Sequence, residues 1–410
     1  MNYILYKNNQ KIIGSIIKLN RLKQNISQKS LAKGICVPSY LSRIESGEFL
    51  PSDDVISIIF DKLGLKYNDS EEFIKEKKAS LETFFDNLIF NEFDLTTNLF
   101  SELEKIENEF LASPLIIDYF LAKLARYCST PSREKFESSS TFLLSAFDLL
   151  SEKQKSMYNF YMGVDVLSLS DDINTGKNYI KNALNYREFG HYYYWLSYAY
   201  ILENNAIKAY DSIKRALDFY VQDGNMISIM NSYEKIAEVY FLLDNYTDAI
   251  VYLKKSLRMA QTLKNKHFTE HINSLLAWSY YRLKNYKTSL QYLNLNTYIA
   301  DHRILIPDSI LMSLICFETN DKIGLKNTLL TLNNPQTLEQ MNLSVINSFS
   351  NFFTFYIEND NYIKTIEWEF LLLDLLKKVV KFAELKKALK ELLKEYYIQN
   401  RRYKDALNFS

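Results

Sequence analysis

The chain has 410 residues, in which 49 Lys and Arg balance 49 Asp and Glu, and only 9 Gly and 6 Pro stand beside 31 Tyr and 26 Phe. So few turn formers exclude a turn-rich β architecture and point to an all-α protein of two or three domains with ample core. Cys36, Cys128 and Cys316 are far apart and form no C-x-x-C pair, so a disulfide framework, a zinc site or any other resident cofactor is unsupported and a reducing, cytoplasmic compartment is expected. No apolar run approaches the ~18 residues that cross a bilayer, and residues 1–10 lack the apolar core and cleavage site of a signal peptide. No membrane partner is expected.

Charge is unevenly spread. Residues 1–68 hold ten Lys and Arg against five Asp and Glu, leaving 39 against 44 in the rest. A basic head on an acidic body suits phosphate contact through the head alone.

Within the head, residues 26–47 read as two short helices around a tight turn. Ser27 is a good N-cap for the first, and Leu31 and Ala32 give it a buried face. Gly34, Ile35 and Cys36 make the turn, and Pro38 fits the first turn of the next helix, where a missing N–H costs little. Leu41 and Ile44 face inward, which leaves Pro38, Ser39, Tyr40, Ser42 and Arg43 on the outer side. A helix-turn-helix sets such residues on base edges. Arg43 is the candidate for bidentate guanine contact, with Ser39 and Tyr40 as further base readers. Gln28, Lys29 and Lys33 are placed for backbone phosphates, which position the domain without specifying sequence.

After a head spanning 1–68, Asn68, Asp69 and Ser70 cap a charged segment that reads as a solvated linker helix over 69–82. The remainder, 83–410, repeats itself at an offset of 40. Tyr200, Tyr240 and Tyr280 match, as do Asn205, Asn245 and Asn285, then Ala206, Tyr246 and Tyr286, and Ala209, Ala249 and Ser289. An aromatic near the end of helix A, an aromatic opening helix B and a small residue at their crossing form the tetratricopeptide pattern. Its usual period is about 34 residues, so longer helices or longer turns are expected here. Single repeats cannot bury their own apolar face, and several must stack. The fold class is therefore all-α, a helix-turn-helix domain followed by a right-handed tetratricopeptide-like solenoid.

The run Leu31–Cys36 with Ser39–Gly47 resembles the DNA-binding domain of PlcR- and NprR-type regulators, the RRNPP group of quorum-sensing proteins, and the repeats extend the likeness along the chain. The resemblance implies a cytoplasmic transcription factor that binds a DNA operator as a homodimer and is switched by a short signalling peptide on the concave face of its repeats. Arbitrium-type phage regulators share this plan. It also implies a structural ion pair between Arg21 and Glu45. Peptides activate some members and release others from DNA. Rap-type relatives instead bind a response-regulator-like protein, which gives the alternative of an adaptor.

For a peptide receptor, the inner wall belongs to the A helices. Tyr194 and Tyr198 come first in the register, followed by Asn231, Glu234 and Glu238. His271, Ser274, Trp278, Tyr281 and Arg282 occupy the next A helix, and Asn347 and Asn351 lie further along. Amides and carboxylates there suit an extended peptide backbone. One enzyme-like pattern also occurs. His267-x-x-Glu270-His271 has the spacing of inverted zinc peptidases, yet no third ligand accompanies it, and the chain reads as non-enzymatic.

Overall fold

The computed structural model describes residues 10–130, 132–296, 307–332, 343–379 and 383–409, and α- and short 3-10 helices are the only regular elements among them. The chain divides into two compact units, 1–229 and 230–410.

The first unit opens with four helices, α1 (Gln10–Lys23), α2 (Gln28–Ala32), α3 (Pro38–Glu45) and α4 (Asp53–Lys62). Ser27 caps α2 as expected, its hydroxyl accepting from the Ser30 N–H at 3.1 Å. Gly34 takes a left-handed φ of +82° in the turn, and Pro38 sits in the first turn of α3. Ile13, Ile16 and Ile17 of α1 close with Leu31, Leu41, Ile44 and Ile59 into a fully buried core. The segment read as a solvated linker is instead amphipathic. It forms a helix over Glu71–Ile89 whose Phe73, Ile74, Leu81 and Phe84 share one buried cluster with the head. These four recur at helical spacing among the charges, so one apolar stripe faces inward. The head is docked further along too. The Asn20 amide, 2% exposed, donates to the carbonyls of Ile16 at 2.8 Å and Leu111 at 2.5 Å, and the Asn68 N–H donates to Ala112 at 2.9 Å.

Downstream, helices Ala206–Gln222, Met226–Leu242, Tyr246–Thr262 and Lys266–Arg282 are each 17 residues long. Three residues separate each from the next, so the half-repeat is 20 residues and longer helices account for the 40-residue period. The linking turn is the same each time. Asn204, Gly224, Asp244, Lys264 and Lys284 all have positive φ, between 53° and 66°. An asparagine follows each one. The N–H of Asn205, Asn225, Asn245, Asn265 and Asn285 reaches back five residues to a carbonyl at 2.9–3.0 Å, which closes the preceding helix. Their side-chain oxygens then cap the following helix by accepting from the N–H three residues on. Ala206, Tyr246 and Tyr286 open helices, and Ala209, Ala249 and Ser289 are fully buried.

In the second unit one core runs from Ala237 to Ala406. Trp368 stacks on Phe352 with ring centroids 4.2 Å apart, and Phe317 and Tyr362 complete the aromatic cluster.

A close approach between two helices of the head tolerates no side chain. A Cβ at Gly14 of α1 would overlap the carbonyl oxygen of Ile44 in α3. Gly14→Ala should destabilise the protein by about 1–3 kcal/mol through overpacking, read as a lower urea midpoint. An unchanged midpoint would mean that α1 and α3 are not held this closely.

Candidate functional site

The outward side of the head is set by what α3 buries. Leu41, Ile44 and Glu45 turn inward, while Pro38, Ser39, Ser42 and Arg43 are exposed. Tyr40 is half-buried, with its ring 5.1 Å from that of Phe49. Arg43 lies on the surface with its Nε 3.5 Å from Glu48, both side chains more than half exposed. Such a pair is weak and leaves the guanidinium available for exchange onto another acceptor. Lys29 and Lys33 are exposed beside this face. Gln28 is placed differently from the sequence expectation. Its amide donates to Glu45 Oε2 at 2.7 Å, so it braces the head interior as well as lying at the surface. Glu45 is the centre of that brace. Arg21 clasps it through Nε at 2.6 Å and Nη2 at 2.9 Å, and donates from Nη1 to the Ile26 carbonyl. A two-pronged guanidinium with a further amide satisfies a carboxylate that is only 3% exposed.

The residues expected on the inner wall separate into distinct surroundings. Tyr194 and Tyr198 are half-buried on helix Gly190–Leu202 of the first unit. The rest belong to the second. Asn231 is half-buried, and Asn347 and Asn351 are exposed on helix Leu343–Glu358. Trp278 and Tyr281 are 1% and 7% exposed, so they are core residues and present no open ring face. Helix Ala383–Gln399, which the repeat register did not reveal, supplies polar partners here. Its Glu384 accepts from Trp278 Nε1 at 3.2 Å and from the Tyr246 hydroxyl at 2.8 Å. Glu391 accepts from Arg282 at 2.7 Å, and that guanidinium covers the Tyr246 ring.

Glu234, Glu238, His271 and Ser274 come together, along with residues the sequence did not single out. His271 Nε2 lies 2.7 Å from Glu234 Oε1, and Lys235 donates to Glu238 at 2.7 Å. On the same side, Asn296 joins Asn273, Ser274 and Asp308 through contacts of 2.8–3.1 Å. Glu234, Glu238, Glu270 and Asp308 are all at most 9% exposed. Lys235 and His271 lie among these buried carboxyls. Asn273 Oδ1, Asp308 Oδ1 and Ser309 Oγ have no hydrogen-bond partner among the described residues. Burial raises the pKa of Asp308 and of Glu238. Burial opposes the charged form of His271, but Glu234 and Glu238 outweigh it and its pKa is raised. The cluster is rich in acceptors and suits a ligand that brings N–H or cationic groups. Only Asn296 and Asp308, distant in sequence from the A helices, escaped any periodic signal.

The zinc-like pattern does not assemble. His267 is exposed at the start of its helix, Glu270 is buried, and His271 turns to Glu234. Among the described residues no three His, Cys, Asp or Glu side chains are grouped to hold a metal. No helix among them is long and apolar enough to cross a membrane.

The chain matches a helix-turn-helix family over residues 17–69 and a tetratricopeptide repeat family over 228–295. No curated protein matches it. Among solved structures it resembles the apo quorum sensor NprR from B. thuringiensis, with a TM-score of 0.63, 16% identity and coverage of 82% of this chain and 97% of that one. A Rap protein complexed with competence and sporulation factor gives 0.61 at 13% identity, covering 82% and 96%. Aspartyl phosphate phosphatase F from Bacillus subtilis gives 0.50 at 14% identity, covering 84% and 94%. At these identities the likeness is one of fold.

The acceptor cluster makes a protonation prediction. Asp308, Glu238 and His271 all have raised pKa values, so the folded state holds protons more tightly than the unfolded chain and stability falls as pH rises through them. The urea midpoint should be higher at pH 6 than at pH 8, and His271→Gln should flatten that slope. An equal slope in the variant would remove His271 from the titration.

Proposed function

We propose that this chain, which joins a helix-turn-helix domain to tetratricopeptide repeats in the fold shared with NprR and the Rap proteins, is a transcriptional regulator of the RRNPP group. Residues 1–68 form the DNA-binding head, 69–82 the link, and 83–410 the receptor and dimerisation region. The observation that carries this reading is the outer side of α3. Ser39, Ser42 and Arg43 stand exposed in a row, with Tyr40 beside them and Lys29 and Lys33 flanking, on a head locked by Arg21 and Glu45. Hydroxyl, ring and guanidinium groups address base edges, and the lysines address phosphates.

A dimer fits this chemistry, since paired heads match paired half-sites of an operator. The compartment is the cytoplasm, where operator and protein meet. The effector is a short signalling peptide. In support stand the Oδ1 atoms of Asn273 and Asp308, which have no partner among the described residues, together with Glu234, Glu238, His271 and Ser274. Asn231, Asn347 and Asn351 extend the polar contacts along the second unit. Peptide binding shifts the balance between two arrangements of the heads, and a coupling of about 1–3 kcal/mol changes operator occupancy 5- to 150-fold.

The Rap likeness favours a second reading, in which the repeats act as an adaptor for a response-regulator-like protein. The two readings separate at the head, because an adaptor has no use for Arg43.

Duplexes selected by the full chain from a random-sequence library provide the test. Arg43→Ala should weaken binding to the selected duplex by about 1–3 kcal/mol while leaving random duplex binding nearly unchanged. Equal loss on both would demote Arg43 to a phosphate contact. Failure of the library to converge on any sequence would favour the adaptor.

A further inference from the structure

Helix Glu71–Ile89 begins just beyond the head and ends against the repeats of the same unit. Its first turn carries Phe73 and Ile74 into the buried cluster that also holds the core of the head. At its other end the Ile89 carbonyl is one of the last four in the helix and has no intrahelical partner. A side chain from the repeats satisfies it. The Asn225 amide donates to it at 2.9 Å, and the His191 ring lies beside the same carbonyl. His191 stacks on Phe189 and meets the Tyr220 ring edge-on. Burial lowers its pKa to about 4. The ring is therefore neutral near pH 7.

Asn225 does more than grip this carbonyl. It is 2% exposed, and its Oδ1 accepts from the Ser228 N–H at 3.0 Å, capping helix Met226–Leu242. That helix carries Asn231, Glu234 and Glu238. The other capping asparagines of the series, at 205, 245, 265 and 285, cap their helices in the same way, and none of their amides is recorded gripping a distant helix end. One carboxamide thus closes the end of helix Glu71–Ile89 with its N–H and opens the helix bearing the effector residues with its oxygen.

We propose that Asn225 is a positioning residue that couples the two functions, so that a change at the start of helix Met226–Leu242 reaches the head through the Ile89 carbonyl. The coupling rests on the reading of the head as a DNA-binding domain. The Asn225 side chain is buried, where a hydrogen bond is stronger and its loss more costly than in water. Coupling between sites is reciprocal, so DNA bound at the head acts back on the helix. The effector itself is not needed to detect it.

Hydrogen exchange on the full chain, with and without a duplex enriched from a random-sequence library, tests this. In the wild type, DNA should slow exchange in the head and change it by about fivefold or more at residues 226–242. Asn225→Asp keeps the capping oxygen but replaces the donor with a carboxylate that repels the Ile89 carbonyl. In it the head should still be protected by DNA while the change at 226–242 is lost. His191→Phe keeps the ring contacts, removes the ring nitrogens beside the Ile89 carbonyl, and should reduce the change in the same direction, which guards against a folding defect peculiar to Asn225→Asp. An undiminished change at 226–242 in both variants overturns the proposal, as does a wild type whose head is protected with no change at 226–242. A wild-type head that DNA does not protect overturns the DNA-binding reading, and this proposal with it.

Discussion

A three-residue turn recurs through the middle of this protein, and most of what the repeats present depends on it. Each turn places one residue in the left-handed region and follows it with an asparagine that closes one helix through its backbone and starts the next through its side chain. Replacing such a cap by alanine costs about 0.5–2 kcal/mol, and several caps act in series. With both ends fixed, helix length is fixed at 17 residues, and the face each helix presents follows from length and phase. Glu234 and His271 meet because two helices so bounded bring them to one level.

Polar groups carry more of this interior than the apolar count suggests. In the head, Glu45 is buried under Arg21 and Gln28. Such a pair contributes little net stability against an apolar alternative, yet removing one partner leaves a stranded charge. Its effect is to fix the angle between α1 and α3, and so the direction in which Arg43 points. In the second unit the carboxyls of Glu234, Glu238, Glu270 and Asp308 are buried, and near them Asn273 Oδ1, Asp308 Oδ1 and Ser309 Oγ stand without a bond among the described residues. Buried groups left incomplete are costly, and a cost concentrated in one place marks a site built for something other than stability.

Much of this was legible in the residues. The helix-turn-helix was visible because Ser27, Gly34 and Pro38 each have one local role that their chemistry dictates. The register of Tyr200, Tyr240 and Tyr280 was visible because packing repeats the same demand. The 20-residue spacing of Asn205, Asn225, Asn245, Asn265 and Asn285 was equally present, but half of it hides when helices A and B are compared only with their own kind. The polar partners of Trp278 and Arg282 could not be read from a repeat pattern, since helix Ala383–Gln399 supplies them from more than a hundred residues away. Gln28 shows the same limit at short range, because its partner Glu45 belongs to another helix. Periodicity reports which face of a helix is apolar. It does not report which distant polar group will reach that face.

On the proposed reading the repeats receive a short peptide and the head reads DNA. The most direct measurement is native mass spectrometry of the full chain, before and after addition of the small-peptide fraction of its own host's spent culture medium. The account predicts a dimer that gains the mass of one short peptide per subunit, with the gain lost when Asp308 and Asn273 are both replaced by alanine. A chain that retains no peptide, and instead keeps a protein partner from the same cells, would contradict it.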